Sequence, residues 1–151
     1  MRPPPPGFTL LEVLVVMILI AAMSVLAAAA VTGGFTGMQI RADAKEIAAQ
    51  LRYTRAHAIA TGRPQRFLID PAAHTWLAAG ERRGDIPEKF GITFTGARET
   101  QPMRGVGAIL FFPDGASTGG RVQLTAKKAA WNVDVAWLTG EVQVRRGEVT
   151  P

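Results

Sequence analysis

The stretch GFTLLE at residues 7–12 opens an apolar run that reaches Val31, and this run decides how the rest of the chain can fold. The nineteen residues 13–31 carry no charge, and Ser24 is the one clearly polar residue among them. As a helix, residues 8–31 would span about 36 Å at a rise of about 1.5 Å per residue. The hydrocarbon core of a bilayer is about 30 Å thick, so the sequence predicts one membrane-spanning helix.

Glu12 is the one charged residue inside this apolar segment. A carboxylate at the bilayer centre costs about 2.5–3.5 kcal/mol on insertion scales, and less near the interface. An ionisable group in a membrane segment therefore indicates a function, and its partner has to be named.

Residues 7–14, GFTLLEVL, resemble the cleavage and assembly motif of type IV pilins and type II secretion pseudopilins. The resemblance implies that a prepilin peptidase cuts between Gly7 and Phe8 and methylates the new amine of Phe8. It also implies that Glu12 pairs with the N-terminal amine of a neighbouring subunit. Such an amine is mostly cationic at neutral pH, and two buried opposite charges can offset each other's desolvation. Phe8 and Glu12 are also four residues apart on one helix face, so pairing within one chain stays open.

Three simpler interpretations of the N-terminal run compete. An ordinary signal peptide cut near Ala28 or Ala30 would have an apolar part of about 7–15 residues, and this run is longer and contains Glu12. A lipoprotein requires a cysteine at the cut, and the chain has none. A generic single-span anchor explains the length of the run but not the order Gly7, Phe8, Glu12.

The leader ahead of the cut carries one charge, Arg2, and four prolines at residues 3–6. Consecutive prolines hold a chain extended as polyproline II, which presents an accessible backbone for a cut after Gly7. Arg2 weakly favours a cytoplasmic N-terminus by the positive-inside rule. With the resemblance, this predicts a single-pass protein of a Gram-negative inner membrane whose C-terminal domain lies in the periplasm.

After Val31, three glycines within residues 33–37 each lower helix propensity by about 1 kcal/mol relative to alanine. We therefore expect a helix break or a flexible joint there. From residue 40 to 61 the apolar positions again follow helical spacing, and Gly62 with Pro64 forms a stop signal. The predicted core-facing stripe consists of Ile40, Ala44, Ile47, Leu51, Thr54 and Ala58.

Beyond Pro64 the apolar pattern changes to period two, which is typical of strands. One long helix followed by about seven strands predicts an α+β fold, with the first half of the helix in the membrane and the second packed on an antiparallel β-sheet or β-sandwich. The predicted strands are 65–69, 75–79, 89–95, 108–112, 121–125, 131–138 and 141–145, with a loop at 81–88. The predicted domains are the leader 1–7, the membrane and assembly helix 8–31, the joint and amphipathic helix 32–64, and the β-rich domain 65–151.

Residues 111–120, FFPDGASTGG, together with Trp131 and residues 137–140, WLTG, resemble the pseudopilin H domain, which is shared with a minor type IV pilin of DNA uptake. Ala116 stands where the family pattern has a second serine. The resemblance implies a minor pseudopilin near the tip of a periplasmic pseudopilus that supports export of folded proteins. Its implied partners are the major pseudopilin and other minor tip subunits. The tryptophans are expected to fill the core between sheets.

Residues 115–119 match G-x-S-x-G, the nucleophile elbow of α/β-hydrolases. That motif needs a helix after it and a histidine downstream, whereas His57 and His74 both lie upstream. A hairpin turn is the better prediction. Neither histidine has a second ligand at useful spacing, and Asp85 and Asp114 lack the dense acidic spacing of a calcium loop. We therefore expect no enzyme, no metal site and no catalytic residue.

Residues 105–107, GVG, lack the third glycine of a dinucleotide fingerprint, so no cofactor or small-molecule substrate is predicted. The net charge is +5, its basic residues are scattered and aromatic residues are few, so DNA is an improbable partner. Arg145 and Arg146 alone favour the rival function, a minor pilin of a DNA-uptake pilus. Arginines on a strand end more often prevent sheet aggregation.

Overall fold

The computed structural model describes residues 9–96, 105–126 and 129–148, with the side chains of residues 28–35 left aside. The chain divides into two compact units, one ending at Thr36 and one beginning at Gly37, and each is described by itself. The elements are helix α1 (Leu10–Thr61), β1 (Gln65–Asp70), β2 (Thr75–Ala78), a 3-10 turn (Ala79–Glu81), β3 (Arg82–Asp85), β4 (Gly91–Thr95), β5 (Gly107–Phe111), β6 (Gly120–Ala126), β7 (Ala129–Val135) and β8 (Val142–Gly147).

Helix α1 runs without interruption through residues 32–37, so the predicted helix break is wrong. Glycine is a poor helix former but keeps its N–H and is not sterically barred from a helix, and a helix already formed on both sides propagates at one hydrogen bond per residue. The boundary between the two units falls inside this glycine-rich segment. A flexible joint stays a prediction, as does the division into four domains.

The C-terminal end of α1 follows the predicted stop signal. The helix ends at Thr61, and Gly62 adopts a left-handed φ of 63°. A glycine in this conformation is the usual residue directly after a helix, because it has no Cβ to clash with the preceding turn.

The predicted stripe on α1 is confirmed, because all six of its residues are buried. They belong to one core with apolar residues from both sheets, among them Phe67 and Ile69 of β1 and Leu124 of β6. Thr54 is the polar member of the stripe. Its hydroxyl donates a hydrogen bond to the Gln50 carbonyl at 2.8 Å, so the buried hydroxyl group has an acceptor.

The strands form two antiparallel four-stranded sheets, in the orders β3-β2-β1-β5 and β4-β6-β7-β8. In β6, Val122 and Leu124 are buried while Arg121 and Gln123 face outward, as the period of two requires. The α+β prediction is therefore confirmed. The predicted strands begin and end within two residues of the observed ones, except at the end of β7.

The loop predicted at residues 81–88 is wrong in part, because it contains β3. The strand pairs along β2, with Trp76 opposite Gly84 and Thr75 opposite Asp85. Its sequence, RRGD, has no apolar alternation to indicate a strand. Pairing with β2 makes this segment a strand instead. The charged side chains of β3 suit a strand at the edge of a sheet.

Strand β7 ends at Val135 rather than at Leu138, and the expected core role of Trp137 is wrong. The last register pair joins Val135 to Val142, so the chain must turn between them. Trp137 lies in that turn with 67% of its surface exposed, whereas Trp76 is buried at 5%. Trp131 is half-buried against the core.

Candidate assembly surfaces

Residues Leu10–Ala27 form the one helical segment in the described residues that is long and apolar enough to cross a bilayer, and none of its side chains is buried within this chain. Burying an apolar side chain contributes about 1.5–3 kcal/mol. Exposed apolar surface of this extent is typical of membrane spans and of interaction sites. By length and composition it is suited to a single-pass anchor.

Thr9 caps the beginning of α1. Its carbonyl accepts hydrogen bonds from the N–H groups of Glu12 at 3.1 Å and Val13 at 3.3 Å, and its Oγ1 accepts from the Glu12 N–H at 3.3 Å. Thr9 and Glu12 thus stand at the N-cap and N3 positions of a capping box. Sequence reasoning missed Thr9, although the T-x-x-E spacing indicates such a cap.

Glu12 is exposed in the first turn of α1, where a carboxylate interacts favourably with the helix dipole. Within the described residues, no cation lies at ion-pair distance from it. Gly7 and Phe8, the predicted cleavage and methylation site, lie outside the described residues. Pairing of Glu12 with an amine, of its own chain or of a neighbour, stays a prediction.

The family-like stretch 111–120 forms a tight turn at its centre, as predicted. The Phe112 N–H donates to the Ala116 carbonyl and the Gly115 N–H to the Phe112 carbonyl, both at 2.9 Å. Asp114 Oδ1 accepts from the Ala116 N–H at 3.0 Å. The return is not a full hairpin: it makes one bridge, between Phe111 and Ser117, and the chain then crosses to β6 in the second sheet.

Ser117, the serine of G-x-S-x-G, connects two loops. Its Oγ donates to the Ala136 carbonyl at 3.0 Å and accepts from the Gly119 N–H at 3.0 Å. The residue is buried, and a strand rather than a helix follows it. This geometry is that of a structural turn.

Residues 136–141 form the loop between β7 and β8, and their backbone is held at three points. The Ala136 N–H donates to the Glu141 carbonyl at 2.9 Å, the Gly140 N–H to the Ala136 carbonyl at 2.8 Å, and the Ser117 N–H to the Trp137 carbonyl at 2.8 Å. Trp137 and Leu138 are nevertheless 67% and 65% exposed. We call this feature the Trp137–Leu138 loop; it presents two large apolar side chains on a fixed backbone.

Arg55 of α1 fastens both loops to the helix. Its Nε donates to the Gly115 carbonyl at 2.9 Å. Gly140 packs against the same place, since a Cβ there would lie 2.8 Å from Arg55 Nε and would overlap the Gly115 carbonyl. Arg55 is not among the residues of the predicted core stripe, and no local signal indicates that it holds a loop sixty residues away.

The two histidines serve packing and turn roles. His57 stacks on Tyr53 with ring centroids 5.8 Å apart. His74 ends the turn before β2 with a φ of 55°. The described residues contain no group of three or more His, Cys, Asp or Glu side chains that could hold a metal ion.

Comparison with known proteins gives one consistent picture. The family model described as Type II transport protein GspH matches residues 43–140. The Type II secretion system protein H of Xanthomonas campestris pv. campestris is 60% identical over 137 residues, which are 91% of this chain and 81% of that protein.

Two solved structures share the fold. The minor pseudopilin EpsH from the Type 2 Secretion System of Vibrio cholerae superposes with a TM-score of 0.58 at 12% identity, covering 72% of this chain and 97% of that one. A second crystal structure of EpsH gives 0.55 at 15% identity, with 76% and 99% covered. At these identities the likeness bears on the fold alone.

Proposed function

The chain belongs to the GspH family of type II transport proteins, and on that premise we propose that it is a minor pseudopilin of the type II secretion system. The observation that carries the proposal is the 60% identity over 137 residues with a type II secretion system protein H. The subunit would lie near the tip of a periplasmic pseudopilus and support export of folded proteins. Its work would be assembly rather than catalysis.

We propose that the apolar half of α1 anchors the subunit in the inner membrane and later packs among other pseudopilin helices. The N-terminus would be cytoplasmic before processing and the unit from Gly37 onward periplasmic. The exposed segment Leu10–Ala27 supports this, because its apolar surface is not covered by any of the residues that the structure describes. Arg2 ahead of the segment favours the same orientation.

We expect processing between Gly7 and Phe8. The glycine stands ahead of the apolar run and behind four consecutive prolines, so the cut would fall in extended chain. Intact mass spectrometry of the membrane form should show the loss of residues 1–7 and the gain of one methyl group. A mass corresponding to a cut near Ala28 or Ala30 would instead restore the ordinary signal-peptide interpretation.

Two features are proposed to contact neighbouring subunits. Glu12 would pair with the amine of Phe8, in the same or a neighbouring chain. The Trp137–Leu138 loop would bind a neighbouring pseudopilin, since exposed aromatic side chains on a fixed backbone are typical anchors of interfaces. The major pseudopilin and the other minor tip subunits are the proposed partners.

The rival function, a DNA-uptake pilus, rested on Arg145 and Arg146. Adjacent residues of a strand point to opposite faces of a sheet. Arg146 stands opposite Trp131 in the register, on the face toward the core, and Arg145 stands opposite Asn132 on the outer face. This placement on opposite faces supports the secretion assignment over the pilus one.

Deleting the gene is expected to block export of folded periplasmic enzymes and to leave DNA uptake unchanged. Secreted enzyme activity and transformation frequency measure the two outcomes. Complementation with the wild-type chain and with Arg145→Ala/Arg146→Ala should restore export equally. Loss of transformation that only the wild-type chain rescues would favour the pilus assignment.

A further inference from the structure

Basic residues lie beside Trp131. The guanidinium carbon of Arg41 lies 5.4 Å from the centroid of the Trp131 ring. Arg146 is the direct cross-strand partner of Trp131, so their side chains lie on the same face of the sheet. Lys45 is four residues from Arg41, on the same flank of α1. We call Arg41, Lys45, Trp131 and Arg146 the Trp131 basic cluster.

The charge of this cluster is not neutralised within the described residues, where the one ion pair joins Arg121 to Asp134. Asp43 and Glu46 lie on the other flank of α1. Burial raises the pKa of Asp43, and nearby Glu46 raises it further while Lys89 lowers it, so these three groups lie close together. Arg41 over the Trp131 ring and Arg146 beside it in the register therefore have no ion-pair partner among the described residues.

The cluster lies close to the anchor along the chain. Arg41 follows Val31, the end of the apolar run, by ten residues. The headgroup region extends about 5–8 Å beyond the hydrocarbon core. A segment of ten residues is long enough to reach across that region, since it spans about 15 Å as a helix.

We propose that the Trp131 basic cluster binds the phosphate headgroups of anionic phospholipid where the anchor leaves the bilayer, and so holds the unassembled subunit against the membrane. Basic residues near an anionic surface each strengthen binding about fivefold, and tryptophan is enriched at the interface. The covalent tether supplies a high effective concentration, so a few cations suffice. The proposal goes beyond the assembly role and depends on the anchor alone.

Anionic lipid fits this cluster better than DNA. Binding along DNA requires cations spread over several phosphates, commonly with repeated stacking side chains. Here Arg41 and Arg146 stand beside a single ring that is itself half-buried against the core. Such a compact site matches one or two headgroups.

The test uses the full chain in lipid nanodiscs. Since the chain has no cysteine, Arg145→Cys introduces a single site for a donor fluorophore, on the face of β8 opposite to Arg146. Energy transfer to acceptor-labelled headgroups is compared in phosphatidylcholine discs with and without phosphatidylglycerol. We expect higher transfer with phosphatidylglycerol, and we expect added salt to remove the difference.

Charge reversal identifies the residues responsible. Arg41→Glu/Arg146→Glu should abolish the phosphatidylglycerol effect, whereas the matched control Arg63→Glu/Arg66→Glu, also at exposed positions, should keep it. If near-UV circular dichroism shows that the charge reversal impairs folding, Arg41→Gln/Arg146→Gln replaces it as the test variant.

Three results would overturn the proposal. The first is equal transfer in both kinds of disc, and the second is an equal loss of transfer in the control variant. The third is loss of duplex DNA binding in the Arg41 and Arg146 variants with the lipid effect intact, which would assign the cluster to DNA.

Discussion

Replacing Glu12 by alanine is expected to abolish incorporation of the subunit into the pseudopilus while membrane insertion and cleavage stay intact. Removing a charge from an apolar segment makes insertion easier, so loss from the membrane is not expected. In the assembled state, an amine that loses its buried partner leaves one charge uncompensated, which costs about 3–5 kcal/mol. This corresponds to a loss of association of about two to three and a half orders of magnitude.

A second role has to be separated from pairing, because Glu12 occupies N3 after the N-cap Thr9, where a glutamate side chain can complete a capping box. Glutamine also serves at N3, so Glu12→Gln keeps the cap and removes the charge. We expect it to fail in assembly as completely as Glu12→Ala. Full assembly by Glu12→Gln would show that Glu12 acts as a cap and not as an ion-pair partner.

Site-specific crosslinking to the other pseudopilins measures incorporation, with the amount of mature protein in the membrane as the reference. Crosslinking should fall in both variants at a constant level of mature protein. A lower level of mature protein would mean that cleavage or insertion had been impaired.

Gly140→Ala is expected to destabilise the globular residues by about 3–5 kcal/mol, a large part of the stability of an ordinary domain. Gly140 has a left-handed φ of 62°, where a Cβ costs about 1–2 kcal/mol. The new methyl group would also overlap the Gly115 carbonyl and press on Arg55 Nε. Loss of the hydrogen bond from the charged Arg55 side chain to the Gly115 carbonyl adds about 1.5–3 kcal/mol.

Gly62→Ala is the matched control for this substitution. Gly62 has almost the same φ, 63°, but nothing lies within 4 Å of its missing Cβ. It should therefore lose about 1–2 kcal/mol from the backbone alone. Urea unfolding in detergent, followed by near-UV circular dichroism, measures both free energies. If both variants lost the same free energy of unfolding, the meeting of Arg55 with the two loops would not contribute to stability.

Much of the fold was predictable because it depends on local periodicity. An uncharged run of nineteen residues indicates an apolar helix whatever surrounds it. The spacing from Ile40 to Ala58 selected the buried face of α1, and the alternation in β6 selected its inward side chains. The glycines at 33–37 misled the prediction because propensity is a weak preference that a continuous helix overrides.

The candidate surfaces were predictable only in part. Glu12 is identifiable because a charge in an apolar run is conspicuous, and Thr9 could have been found from its spacing to Glu12. The exposure of Trp137 could not have been predicted. The apolar alternation of the sequence continues through this residue, whereas the pairing of β7 with β8 ends at Val135. That the RRGD segment forms strand β3 likewise depends on its pairing with the neighbouring strand β2.

The sequence by itself therefore determined the anchor, the core-facing stripe of α1 and most of the strands, since each follows from side chains a few residues apart. Only the tertiary structure decided which loops meet. The hydrogen bonds from Arg55 to Gly115 and from Ser117 to Ala136 join residues sixty and nineteen positions apart. They exist because the chain crosses from one sheet to the other after β5, and this crossing depends on strand order, which no local pattern encodes.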